Sequence, residues 1–120
     1  MKGVYMREVC FFVLLTAIGA AVAAESLPRD VSSFIAQREA CDHWRGEYGY
    51  DEERQADIDA AVCETCTGTD ERLAKLKQKY QGKKEILSKL NEFESDIEPE
   101  DTSQTAAFCK RVSRQRDNKR

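Results

Sequence analysis

The chain has 120 residues, of which 19 are lysine or arginine and 22 are aspartate or glutamate, and its formal net charge is −3. A chain of this length corresponds to one domain with a modest core, because small domains bury only about two-thirds of their unfolded surface. The slight acidity argues against a protein whose main partner is nucleic acid, since such proteins carry a strong basic excess.

The first 23 residues have the three parts of a secretory signal peptide. Lys2 and Arg7 form a positive start, residues 9–20 are mostly apolar, and residues 21–23 are the small residues Ala-Val-Ala. The apolar run is shorter than the about 20 residues that a membrane-spanning helix needs, and no second run follows. We therefore predict that residues 1–23 direct export and that the mature chain, periplasmic or secreted, has no transmembrane segment.

Two amphipathic helices are predicted in the first half of the mature chain. Asp30 is a candidate N-cap for a helix that runs to about Trp44, and Asp51 is a candidate N-cap for a second helix. Apolar residues recur at helical spacing in both segments, so each helix has one inward face. The inward positions are Val31, Phe34, Ile35, Cys41, Ile58, Val62 and Cys66.

Further helices are predicted in the second half, which makes the fold class all-α. Gly68 ends the second helix, because glycine adopts the left-handed conformation of a helix end without strain, and a third helix begins at once and stops at Gly82. A fourth amphipathic helix follows. The inward positions are Leu73, Leu76, Tyr80, Ile86, Leu87, Leu90 and Phe93.

Beyond the fourth helix the composition changes to an acidic linker that Pro99 interrupts. Thr102 can then cap a short fifth helix, which leads into a basic tail that contains Arg114 and Arg116. We predict a small disulfide-stapled bundle: a four-helix domain over residues 24–98 and a C-terminal extension over residues 99–120 with the short fifth helix. The basic tail is a candidate for weak contact with anionic surfaces, but not with nucleic acid.

Four cysteines remain after the signal peptide, an even number that predicts two disulfides in an exported chain. Three pairings are possible. Cys66 lies on the inward ridge of the second helix, whereas Cys63 is rotated by about 140° from Ile58. This difference favours a Cys41–Cys66 bond in the core, and it leaves Cys63 to pair with Cys109 and pin the last helix.

The loop between the first two helices is the predicted binding site. This segment and the helix end before it contain the only histidine, the only tryptophan, an arginine and two tyrosines. Tyrosine, tryptophan and arginine are the residues most enriched in protein-binding hot spots. The charged residues would also serve as simple helix-end charges, and Trp44 would equally fit the core. The expected partner is an envelope or extracellular protein. The predicted contact residues are Asp42, His43, Trp44, Arg45, Glu47, Tyr48 and Tyr50.

Cysteine and histidine chemistry gives the competing hypothesis of a periplasmic metal or thiol-redox protein. Cys41, His43, Cys63 and Cys66 are ligands that zinc prefers, and Cys63 and Cys66 have the spacing of a redox pair. An oxidising destination opposes both ideas, because exported thiols tend to form disulfides. We expect no metal or cofactor. We also expect no enzyme, because nothing supplies a nucleophile for His43 to activate as a general base.

The chain resembles a group of small signal-bearing bacterial proteins over about residues 28–98. Three motifs carry the resemblance: Cys41-Asp-His-Trp-Arg-Gly-Glu47, Tyr50-Asp-Glu-Glu-Arg54 and Cys66-Thr-Gly-Thr-Asp70, the last running into Leu73, Leu76 and Tyr80. It implies a helical protein with equivalents of Cys41 and Cys66, to which Cys63, Cys109 and the tail are additions. A looser similarity, through Cys66, Asp70, Leu73 and Tyr80, connects the chain to the LprI-type lysozyme-inhibitor-like pattern with altered spacing. It implies a candidate inhibitor.

Overall fold

The computed structural model describes residues 26–120, so the predicted signal peptide lies outside the described residues. Five helices follow one another and no strand occurs in this range, which confirms the all-α prediction. None of these helices is long and apolar enough to cross a membrane. The helices are α1 (Arg29–Arg45), α2 (Glu52–Cys66), α3 (Thr69–Lys79), α4 (Lys84–Leu90) and α5 (Thr102–Asn118).

A small apolar core lies between α1, α3 and α4. Phe34 of α1 is fully buried, and its ring meets the ring of Phe93 edge-on at 5.5 Å between centroids. The predicted inward stripes of these three helices therefore converge on one cluster. Its buried members are Val31, Phe34, Leu73, Leu76 and Leu90, and the half-buried residues packed against them are Leu27, Ile35, Tyr80, Ile86 and Phe93.

The start of α1 differs from the prediction that Asp30 is its N-cap. Pro28 occupies the N-cap position, and no side chain caps the helix. Asp30 lies in the first turn, where its carboxylate accepts hydrogen bonds from Lys79 Nζ at 2.6 Å and from the Tyr80 hydroxyl at 2.7 Å. The predicted cap is therefore wrong, because Asp30 instead binds the start of α1 to the end of α3.

The two predicted signals around α2 are confirmed. The Asp51 carboxylate accepts a hydrogen bond from the Arg54 backbone N–H at 2.7 Å and so caps the first turn of α2. Gly68 has a φ of 81° and lies between α2 and α3, where its left-handed conformation lets the chain stop one helix and begin the next.

Both predicted disulfides are present. Cys41 and Cys66 join α1 to the last residue of α2 with their Cα atoms 4.9 Å apart, and both residues are buried. Cys63 and Cys109 join α2 to α5 with their Cα atoms 5.6 Å apart, and both are only half-buried. One bond therefore lies inside the domain, and the other fastens the last helix to its surface.

The last helix is longer than the short helix predicted from the sequence. It has 17 residues, as many as α1, and it includes most of the supposed basic tail. Its N-cap is Asp101 and not Thr102. The helix continues through Arg114 and Arg116 because arginine and glutamine are good helix formers and because basic residues suit the negative end of the helix dipole. Besides the disulfide, an Arg116–Glu64 ion pair of 2.6 Å and buried Val112 hold α5 to the domain.

Candidate functional site

The predicted binding residues lie in two parts of what we call the α1–α2 corner, residues 42–51. The last turn of α1 contributes four of them, and the loop between α1 and α2 contributes three. α1 ends at Arg45, and the backbone N–H of Gly46 at its C-cap donates to the His43 carbonyl oxygen at 3.2 Å. The corner is thus a continuous piece of chain, but its two parts have different surroundings.

Asp42 and Arg45 belong to an ion-pair network that holds the end of α1. Arg45 donates to Asp42 Oδ1 at 2.9 Å and to Glu94 Oε2 at 2.5 Å, while Arg38 donates to Asp42 Oδ1 at 3.1 Å. The hydrogen bond that Arg45 donates to Glu94, and then the one that it donates to Asp42, raises the pKa of the Arg45 guanidinium. Asp42 and Arg45 are therefore already occupied by internal partners, which favours a supporting role for both.

Trp44 is half-buried between two neighbours, so it is neither a core residue nor a free one. The His43 ring approaches it edge-on with centroids 5.2 Å apart, and the Arg54 guanidinium lies 5.5 Å from the Trp44 ring centroid. His43 Nε2 is 3.9 Å from Glu47 Oε1, and the imidazole is exposed. Arg54 of α2 is a member of this cluster that the sequence did not suggest.

Tyr48 and Tyr50 point into solvent. Their relative exposures are 89% and 87%, the two highest among the exposed large apolar residues of the described chain. A tyrosine ring that stays in water gives up the stabilisation of about 1.5–3 kcal/mol that burial of a large apolar side chain typically supplies. Two such rings, separated only by Gly49, form an unusual surface for a domain with so small a core.

The loop that carries the tyrosines is anchored to α2. The Gly49 backbone N–H donates to Gln55 Oε1 at 3.0 Å, and Gln55 Nε2 donates in turn to Asp59 at 2.9 Å. A Cβ at position 49 would lie 2.6 Å from the Gln55 backbone nitrogen, so only glycine fits this approach. The tyrosines are therefore presented by a loop that is fixed at its centre, with the Asp51 cap immediately after it.

The cysteine residues of the competing hypothesis are all disulfide-bonded. Cys63 and Cys66 are bonded to Cys109 and Cys41, respectively, and not to each other. Zinc ligation by these sulfurs, or dithiol chemistry, would first require reduction of both bonds. Within residues 26–120, no group of three or more histidine, cysteine, aspartate or glutamate side chains is arranged to hold a metal ion.

Arg38 is the residue of this region that sequence reasoning missed most clearly. It is completely buried, although arginine is among the residues least often found inside proteins. A signal was available, because Arg38 falls between Phe34 and Cys41 on the inward stripe of α1, four residues after the first and three before the second. A charged residue on such a stripe requires partners. Asp42, four residues on, is one of them, and the others, Asp70 and Glu94, lie far along the chain.

Comparisons with known proteins bring no relative. No protein-family model matches this chain, and no curated protein and no solved structure matches it. The resemblance to small exported bacterial proteins, and the looser one to the LprI-type pattern, therefore remain predictions from sequence motifs. The functional argument depends on the geometry of the α1–α2 corner alone.

Proposed function

We propose that this chain is an exported, non-catalytic binding protein that recognises an envelope or extracellular protein through its α1–α2 corner. One observation carries the proposal: Tyr48 and Tyr50 are 89% and 87% exposed on a loop that Gly49 and Gln55 hold in place. Tyrosine is enriched in interface hot spots because it combines a large apolar ring with a hydroxyl group. A loop that is ordered before binding loses little conformational entropy when a partner docks.

The two parts of the corner have different roles in this proposal. Tyr48 and Tyr50 contact the partner directly, with Glu47 and His43 at the edge of the contact. Asp42 and Arg45 hold the end of α1 through Glu94, and Trp44 packs against Arg54 below the loop. Changes at the tyrosines should therefore affect binding alone, whereas changes at Asp42 or Arg45 should affect the domain as well.

The direct test is affinity capture with the mature protein from the envelope and culture fractions of the cells that produce it. Wild type is compared with the Tyr48→Ala/Tyr50→Ala variant, and the matched control is Phe108→Ala, which removes an exposed aromatic ring from α5. A protein retained by wild type and by the control, but lost with the tyrosine variant, is the partner. Its dissociation constant should rise at least thirtyfold, roughly the effect of one hot-spot residue.

A second variant tests whether binding depends on the position of the two tyrosine rings as well as on their presence. Gly49→Ala keeps both rings but places a methyl group against the Gln55 backbone, so the loop must move. We expect weakened binding with an unchanged melting temperature of the helical core. Full affinity in both Gly49→Ala and the double tyrosine variant would refute a role for the corner.

Inhibition is the form of binding that the LprI-type resemblance suggests, and a lysozyme is therefore a defined first probe. The rate at which lysozyme clears a suspension of bacterial cell walls would be measured with wild type and with Tyr48→Ala/Tyr50→Ala. Slower clearing with wild type only would identify inhibition through the corner. Equal rates in all samples would remove this one target and leave the capture experiment to find another.

Thiol counting distinguishes the binding proposal from the metal or redox alternative. The four cysteines of the mature protein should give no free thiol under non-reducing denaturing conditions, because each sulfur has a disulfide partner. Two or more thiols per molecule, together with stoichiometric zinc in the purified protein, would favour the alternative.

A further inference from the structure

Charge is distributed very unevenly along the described chain. Residues 26–101 contain 19 acidic and 11 basic side chains, whereas residues 102–120 contain one acidic and six basic side chains. The basic segment coincides with α5 and the two residues after it. The protein is therefore an acidic domain that carries one cationic helix.

The basic residues of α5 are concentrated on its solvent side. Val112 is buried against the domain, and Cys109 is bonded to α2, which defines the inner side of the helix. Lys110, Arg111 and Arg114 are all exposed. At 100° per residue these three fall within an arc of about 100°, roughly opposite Val112. They form what we call the α5 outer face.

The charges of the α5 outer face form no ion pair within the described part of the chain. Among the basic residues of α5, Arg116 alone has such a partner there, Glu64 at 2.6 Å. No carboxylate of residues 26–120 pairs with Lys110, Arg111 or Arg114, whereas three lysines elsewhere each pair with a carboxylate. Those lysines are Lys75, Lys79 and Lys89. No ion pair within the described residues therefore offsets the attraction of this face for external anions, and Asp117, three residues after Arg114, is the one carboxylate of α5.

We propose that the α5 outer face docks on a membrane surface that contains anionic phospholipids. A straight helix can bring all three cations to a plane together, and each lysine or arginine near an anionic surface strengthens binding about fivefold. The ring centroid of Phe108, which is 39% exposed, lies 5.8 Å from the Arg111 guanidinium and supports this side chain from the domain side of α5. The anionic membrane surface repels the acidic remainder of the domain, and this repulsion orients the protein with α5 toward the lipid.

The Cys63–Cys109 bond makes this face part of the folded domain. It holds the middle of α5 to α2, and the Arg116–Glu64 pair holds the helix closer to its end. The outer face therefore has a fixed direction before any contact, so little order is lost on docking. This inference does not depend on the α1–α2 corner, and either proposal can hold without the other.

The test uses the full mature protein with its disulfides intact and sedimentation with vesicles at low ionic strength. Binding should occur with vesicles of phosphatidylcholine and phosphatidylglycerol, and not with phosphatidylcholine alone. Added salt should release the protein, because screening weakens attraction between exposed charges. The variant Lys110→Gln/Arg111→Gln/Arg114→Gln should bind about a hundredfold more weakly, which follows from three charges at about fivefold each.

A matched control removes the same amount of charge elsewhere. Lys77→Gln/Lys83→Gln/Lys84→Gln changes one lysine of α3, one of α4 and one at the N-cap of α4, for which no ion pair occurs within the described chain. It should retain most of the affinity for anionic vesicles. Far-UV circular dichroism and complete oxidation of the cysteines verify the fold of both variants.

Several outcomes would overturn the proposal. If the two triple variants lost equal affinity for anionic vesicles, binding would depend on the total charge of the protein and not on the α5 outer face. Absence of wild-type binding at low ionic strength, or equal binding to uncharged vesicles, would refute anionic docking directly. Tighter binding to inorganic polyphosphate than to the vesicles, lost in the α5 variant, would assign the face to a soluble polyanion instead of a membrane.

Discussion

Arg38 of α1 and Asp70 of α3 face each other inside the protein, with Nη1 of the arginine 3.7 Å from Oδ1 of the aspartate. Arg38 also donates from Nε to Asp42 at 3.1 Å and from Nη2 to the Glu94 carbonyl oxygen at 2.9 Å. One buried side chain therefore connects α1, α3 and the acidic linker. Because a buried charge is costly without partners, this arrangement is sensitive to the loss of any of them.

Replacement of Arg38 by alanine should lower the free energy of unfolding by about 3 kcal/mol, since removal of one member of a buried ion pair leaves the other uncompensated. Arg38→Lys should lie between this variant and wild type, because lysine keeps the charge but cannot donate from two separate nitrogens, as Arg38 does from Nε and Nη2. Urea denaturation with intact disulfides measures both. A fully stable Arg38→Ala protein would contradict a structural role for the buried charge.

The two disulfides should differ in what they stabilise. Loss of the buried Cys41–Cys66 bond by double alanine substitution should destabilise the whole domain by about 3.5 kcal/mol in the chain-entropy model. Loss of Cys63–Cys109 by double serine substitution should mainly release α5, whose only buried residue is Val112. Hydrogen exchange followed by mass spectrometry should then report faster exchange in residues 102–118 with unchanged protection in α1. Uniform loss of protection would show that α5 is integral to the domain.

Glu98 should stabilise the start of α3 although it lies in the linker. Its carboxylate accepts hydrogen bonds from the backbone N–H groups of Gly68 at 3.0 Å and Asp70 at 2.9 Å. The Glu98 backbone N–H donates to Asp70 Oδ2 at 2.8 Å in return. Glu98→Ala should cost about 1 kcal/mol, comparable to the loss of a helix cap. Glu100→Ala, an exposed neighbour, is the matched control, and an equal effect of the two would contradict the capping role.

Acid should weaken the contact between the start of α1 and the end of α3. The hydrogen bond from Lys79, and then that from Tyr80, holds the pKa of Asp30 below its ordinary value of 3.8. A lowered pKa in the folded state contributes stability above 3.8, and this contribution is lost as the pH falls through the lowered pKa. The difference in unfolding free energy between wild type and Asp30→Asn should be positive near neutral pH and vanish in strong acid. A difference independent of pH would contradict this role.

The sequence by itself determined the number and order of the helices, the stop at Gly68, the cap at Asp51 and the pairing of the cysteines, but not the start of α1 or the length of α5. Each of these depends on residues a few positions apart, or on the angle at which a side chain leaves its own helix, and such information is local. The corner was also found locally, from Trp44, Tyr48 and Tyr50 close to Arg45 in the sequence. Its role in binding stays a prediction.

Only the tertiary structure decided which polar groups meet. Arg38 and Glu94 are 56 positions apart, Asp30 and Tyr80 are 50 apart, and Asp70 and Glu98 are 28 apart. The sequence offers each of these side chains many possible ion-pair or hydrogen-bond partners, and a local pattern cannot choose among them. The packing of α1, α3 and the linker makes that choice, because it fixes which groups leave water together and must therefore satisfy one another.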